Sequence, residues 1–183
     1  MNIFFLDKKP RECARYHCDI HTVKMSLEYA QILCNVHHIH QNFFKASSSM
    51  PLYKPTHMRH PIVLWASENQ DNYVWLYTLW QFTLAEYSQR YLRKHKSEEL
   101  TSVLASPPFS ATQNPNSFVF KSLTLPPLCM PDDCKPAVVK TFDDVVKAYR
   151  EYYIMHKGKI AKWDKTPERP MPYWLSMPEV ASL

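Results

Sequence analysis

Glycine is nearly missing from this sequence: Gly158 is the only one in 183 residues. Phosphate-cradling loops need several glycines to bring backbone N–H groups close to a ligand, so a P-loop or a dinucleotide-binding turn is excluded. Turning the chain falls instead to fifteen prolines and to Asn, Asp and Ser, which cluster in residues 47–61, 106–136 and 166–178; these stretches are the predicted connections and tail. Long apolar runs are missing too. Ile3-Phe4-Phe5-Leu6 is too short for a secretory segment and no later run approaches ~18 apolar residues, so the expectation is a chain that is neither exported nor membrane-spanning and has no membrane partner. There is no CxxC pair. Five cysteines, Cys13, Cys18, Cys34, Cys129 and Cys134, form an odd, irregularly spaced set, which suits reduced thiols in a cytoplasm, the host cell's if the chain is viral. Nothing in the sequence calls for a cofactor.

The rest of the composition, 45% hydrophobic and 21% charged, belongs to a chain that folds around one core. The predicted fold is mainly α, a compact single-domain helical bundle with long proline-rich loops: residues 1–165 as the helical domain and 166–183 as a proline-rich C-terminal tail. Helices are predicted over 8–17, with Pro10 in a first turn, and over 20–40, where Ile20, Val23, Leu27, Ala30 and Cys34 recur at the spacing of a buried face. Ser67 and Gln70 make a capping-box pattern before an aromatic-rich helix over 68–97. Thr141 and Asp144 make another, ahead of a helix for which Gly158 stands as the residue just past the C-terminus. Residues 117–125 alternate weakly and read as a short strand or an ordered loop.

Projected at about 100° per residue, His17, His21, Lys24, Glu28 and Asn35 share a narrow sector of the second helix, with apolar residues on both flanks. Such a strip either pairs internally, as Lys24 and Glu28 can at i,i+4, or lines a polar cleft. On the long helix Asn72, Thr83, Glu86, Arg90, Arg93 and Ser97 fall on one side, either a solvated face with a Glu86–Arg90 pair or the opposing wall of that cleft. Facing strips would bring Glu28, Glu86, Lys24 and Arg90 together for acid–base chemistry on an anionic substrate. His17 and His21, also at i,i+4, raise a metal-dependent hydrolase as a further reading, although no cysteine pair accompanies them and no metal ligand is assigned. The net charge of +5 and the interleaving of Tyr149, Tyr152, Tyr153 and Trp163 with Lys157, Lys159, Lys162, Lys165 and Arg169 suit a DNA or nucleotide partner, and equally a solvated basic face.

The stretch Cys18-Asp19-Ile20-His21-Thr22-Val23-Lys24-Met25-Ser26-Leu27-Glu28-Tyr29-Ala30-Gln31, with His60-Pro61, Trp65, Asn72 to Leu76, Glu86 to Tyr91 and His95-Lys96, resembles a group of small bacteriophage proteins over most of residues 2–163. More distantly it is similar to the phage pyrimidine-dimer DNA glycosylase/lyase, a compact all-helical enzyme with its chain start at the active site. The resemblance implies a DNA-acting enzyme of base excision or base modification, with Glu28 handling the deoxyribose and His21 and Arg90 near the sugar-phosphate. That chemistry requires an amine to attack the sugar carbon. In the family the amine is the N-terminus after methionine removal; Asn2 is bulkier than the residues that usually permit removal, which leaves Lys24 as a second candidate. Catalytic candidates are thus Glu28, His21 and Lys24, and substrate-binding candidates Arg90, Glu86, Asn72, His60, Lys162 and Trp163. The rival reading is a non-catalytic module that captures a nucleotide or nucleic acid.

Overall fold

The structure, a computed structural model, describes residues 1–40, 52–109 and 122–175, and among them every regular element is helical. Six α-helices follow one another: α1 (Pro10–Tyr16), α2 (Asp19–Ile39), α3 (Pro61–Glu68), α4 (Gln70–Tyr91), α5 (Thr101–Leu104) and α6 (Phe142–Tyr152). Short 3₁₀ turns lie at Lys96–Leu100, Asp132–Cys134 and Tyr173–Leu175, and α6 runs into a π-turn over Tyr153–Lys157. No helix among the described residues is long and apolar enough to cross a membrane.

The helix predicted over 68–97 is α4 alone, and it is preceded by a separate helix, α3, that the sequence pattern did not predict. Asn69, in extended backbone, accepts a hydrogen bond from the Asn72 N–H at 2.9 Å and starts α4, while the Ser67 hydroxyl is spent on the Leu64 carbonyl. The cap is therefore Asn69. At the other end Leu92 takes φ 53°, ψ 32° and stops the helix at Tyr91, short of the predicted limit of 97. The Thr141–Asp144 capping box forms as predicted. Gly158 does follow the π-turn, but at φ −48°; its value is that a Cβ there would lie 3.0 Å from the Ile154 carbonyl oxygen. Left-handed backbone falls instead to Phe4, His57 and Leu92. Of the predicted strand region, 117–121 lies outside the described residues and 122–125 form no strand.

Helix α4 is the centre, packed against α1, α2 and α3, with Trp75 and Trp80 fully buried. The extended N-terminal segment is drawn into the same core: Ile3, Phe5 and Leu6 are completely buried, and Phe5 stacks on Trp75 with ring centres 4.4 Å apart. Each such aromatic removes about 150–250 Å² from water, stabilisation of several kcal/mol at ~25 cal/mol per Å². The tail is anchored as well, since Trp174 is buried with its ring against Tyr16 and Tyr153.

The predicted face of α2 is buried only in its second half, where Ala30 and Cys34 lie inside as predicted; its first half faces out. Ile20, Val23 and Leu27 stand 53, 37 and 40% exposed, whereas Thr22, Met25, Ser26 and Tyr29 are buried. Small polar residues sit inside because α4 approaches closely enough for the Trp80 indole to donate to the Ser26 carbonyl, at 2.9 Å, and the Ser97 hydroxyl joins it at 2.8 Å. Thr22 and Ser26 satisfy their own hydroxyls one turn back, on the Cys18 and Thr22 carbonyls.

Candidate functional site

The exposed stripe of α2 carries Ile20, Val23, Lys24 and Leu27, with Glu28 on its edge, 16% exposed at the side chain. The Lys24 ammonium lies 3.4 Å from the Glu28 carboxylate. Lys24 also lines a groove of about 570 Å³ between α2, the end of α4 and residues 160–165. Two further lysines, Lys162 and Lys165, line it, with Ile20, Val23 and Ile160 supplying apolar surface and Lys165 lying 5.8 Å over the Tyr91 ring. Two carboxylates, Asp19 and Asp164, also border the groove, but Asp19 already faces Arg90 and accepts the Asp164 N–H at 2.7 Å.

At its other end the pair approaches the start of α3. The His60 ring nitrogen accepts the Ile62 N–H and caps that helix. Burial first, then the positive charge of the Met1 amino group and of His57, hold its pKa below the ordinary range, while Glu28 pulls it up. The Met1 amino group also lowers the pKa of Cys129, against the larger opposing effect of burial. Asn2 fixes this segment by donating to the Cys129 carbonyl at 2.7 Å and accepting the Ile3 and Phe4 N–H groups. The Glu28 carboxylate and the Met1 amino group thus act in opposite directions on the His60 imidazole.

The other predicted residues go elsewhere. His21 sits on the inner side of the strip, stacked on Phe4 at 4.3 Å between ring centres, with Nδ1 accepting from the Tyr153 hydroxyl at 2.5 Å. Burial, then the charges of His17, Lys157 and Lys24, lower its pKa to about 3. Phe4 holds φ 41°, a conformation costing ~1–2 kcal/mol for a non-glycine residue, retained because its ring lies between His21 and Tyr152. His17 belongs to the elbow between α1 and α2, not to the helical strip: Nδ1 donates to the Cys13 carbonyl at 2.7 Å, and the Tyr29 hydroxyl is shared between Nε2 and the Ile3 carbonyl. Burial lowers its pKa to about 4. Both ring nitrogens of His17 are thus engaged inside the protein, Nε2 facing the Tyr29 hydroxyl.

Glu86 and Arg90 do not face Glu28 across a cleft, nor do they form a solvated pair. Both are buried. Arg90 donates to the His17 carbonyl at 2.7 Å, the Arg15 carbonyl at 3.1 Å, Asp19 at 3.2 Å and, from Nε and Nη2, to Glu86 at 3.3 and 3.1 Å. All five guanidinium N–H groups are spoken for, so none is left for a phosphate. Glu86 is closed off by Arg169 at 2.8 Å. The network ties the α1–α2 elbow and the tail to α4. Asn72 is consumed similarly, donating to the Trp65 carbonyl and Thr124 hydroxyl and accepting the Thr124 N–H. Trp163 is buried beside Lys162, and its indole N–H has no hydrogen-bond partner among the described residues.

Comparison with known protein families, curated proteins and solved structures gives no match for this chain. Site residues missed in the sequence are Tyr91, Ile160 and Lys165 of the groove wall; the aromatic-basic interleaving of the tail was the available signal. The periodicity of α2 pointed its apolar stripe inward and so hid the groove's floor.

Proposed function

We propose that the protein is a DNA-acting enzyme of base excision or base modification, in which Lys24 is the amine and Glu28 the acid–base group. The observation that carries this reading is the Lys24–Glu28 contact of 3.4 Å at the mouth of a groove lined by Lys162 and Lys165. An amine beside a carboxylate is the minimal equipment for Schiff-base chemistry on a sugar. Lys24 in its neutral form attacks C1′ of the nucleotide, and the base leaves with the bonding electrons and a proton supplied by the carboxylic acid of Glu28. The C1′–O4′ bond then breaks as one proton of the new C1′–NH2⁺ group passes to O4′, which opens the ring to an iminium. Glu28, now a carboxylate, removes a proton from C2′, and the C3′–O bond breaks by elimination. The lysines of the groove hold the flanking phosphates, and the apolar stripe of Ile20, Val23 and Leu27 offers a surface on which an extruded base can rest. The reading retains Glu28, Lys24, Lys162 and His60 from the sequence and gives His21 a supporting place beneath Phe4.

Borohydride trapping on duplexes with an abasic site or a damaged base tests it. A covalent adduct is expected, mapping to Lys24, with Glu28→Gln lowering turnover by at least ~100-fold at unchanged far-ultraviolet circular dichroism. An adduct at Met1 would transfer the nucleophile to the α-amine and keep Glu28. No adduct on any substrate, with Glu28→Gln binding DNA as well as the parent protein, would replace the enzyme by a binding module.

A further inference from the structure

On the opposite end of α6 from its capping box, three side chains of different chemistry converge. The 3₁₀ turn Asp132–Cys134 supplies Asp133 and Cys134, and the π-turn Tyr153–Lys157 supplies His156. A carboxylate oxygen, a thiol sulfur and an imidazole nitrogen, one from each, all lie within 4.8 Å of one another. Nε2 of His156 is 2.9 Å from Asp133, and the Met155 thioether is 3.8 Å from the Cys134 sulfur. Asp133 and His156 are open to solvent while Cys134 is buried, and a cavity of about 320 Å³ reaches Asp133, Cys134 and Glu151.

We propose that Asp133, Cys134 and His156 form a zinc-binding site. Ligand bonds of ~2.0–2.3 Å in a tetrahedron set donor atoms ~3.3–3.8 Å apart. The three groups here need to move by only ~1 Å, and the movement falls on Asp133 and His156, the two exposed members. The donor set selects the ion: thiolate and imidazole are poor ligands for magnesium or calcium, and the single carboxylate fits a borderline cation such as zinc. A solvent molecule completes the tetrahedron. The π-turn has a reason in this arrangement, because its extra residue swings Met155 and His156 toward Cys134; such turns recur at functional sites. Zinc would join the 131–135 loop to the end of α6, on residues that neither the Lys24–Glu28 pair nor its groove uses. In binding, the Cys134 thiol gives up its proton to solvent and the ion replaces the hydrogen bond between Asp133 and His156.

The test is titration of the full chain, first stripped with a chelator, with zinc, and with cobalt as a spectroscopic substitute. Uptake of about one ion per chain is expected, with release of about one proton, a thiolate-to-cobalt charge-transfer band and a zinc-dependent rise in Tm. Cys134→Ser should abolish the band, and Asp133→Asn, an exposed substitution that leaves the core untouched, should weaken zinc by more than about tenfold. Uptake that survives unchanged in Asp133→Asn and His156→Ala, or cobalt bound without the charge-transfer band, would overturn the site, as would the absence of stoichiometric uptake.

Discussion

Replacing Arg90 by alanine would remove the counter-charge facing Asp19 and one of the two guanidinium groups holding Glu86, while leaving both carboxylates buried. Breaking such a network from one side costs about 3–5 kcal/mol, an expected fall in stability to be read from urea denaturation; a loss below about 1 kcal/mol would return Arg90 to a solvated role. Two histidines make the second residue-scale prediction. Burial lowers the pKa of His17 to about 4 and of His21 to about 3 from the ordinary 6.5. Because the folded-state values lie below the unfolded one, the protein's preference for the neutral rings contributes fully above pH ~6.5 and is lost as the pH falls toward 4. Each ring costs about 1.4 kcal/mol per pH unit once the unfolded chain is protonated. Denaturation midpoints should therefore drop steeply between pH 6 and 5, before most carboxylates titrate, and a flat profile there would contradict the neutral buried rings.

At the scale of elements, α4 ends on a leucine in left-handed backbone. Leu92, 91% exposed at φ 53°, gains nothing from burial to offset a conformation costing ~1–2 kcal/mol, so Leu92→Gly should stabilise the protein by about 0.5–1 kcal/mol after the added entropy of the unfolded chain. Destabilisation in thermal or urea melts would show that the leucine makes contacts worth more than the strain. Helix α2 displays a different conflict. Its three-and-four apolar spacing fits a buried face, but the helix has a second face, with Thr22 and Ser26, small enough for α4 to approach closely. Two packable faces compete and close packing against Trp80 wins, which leaves Ile20, Val23 and Leu27 outside, the first two as the floor of the groove. The position of α1, the length of α2 and the Thr141 cap were legible, since each depends on neighbours within one turn. The break at Asn69 was obscured by a rival cap two residues earlier.

For the whole molecule, the tail and the N-terminal segment matter as much as the helices. Residues 160–165 and α2 come from opposite ends of the chain and make one groove with three lysines. If that groove holds DNA, log Kd for a duplex should change with log salt by a slope near 2–3, and Lys162→Ala with Lys165→Ala should reduce that slope by about 2 without altering Tm. An unchanged slope would place the phosphates elsewhere.

The sequence by itself determined the all-helical class, the lack of the glycines that a phosphate-cradling loop needs, the cap at Thr141, and the closeness of Lys24 to Glu28, because each follows from composition or from spacing along a single turn. Only the tertiary structure decided which side of α2 faces water, that Arg90 and Glu86 are spent on holding the elbow and tail, and that Asp133, Cys134 and His156 meet. Those outcomes depend on contacts between residues 20 to 140 positions apart, where packing and the satisfaction of buried polar groups override any local pattern.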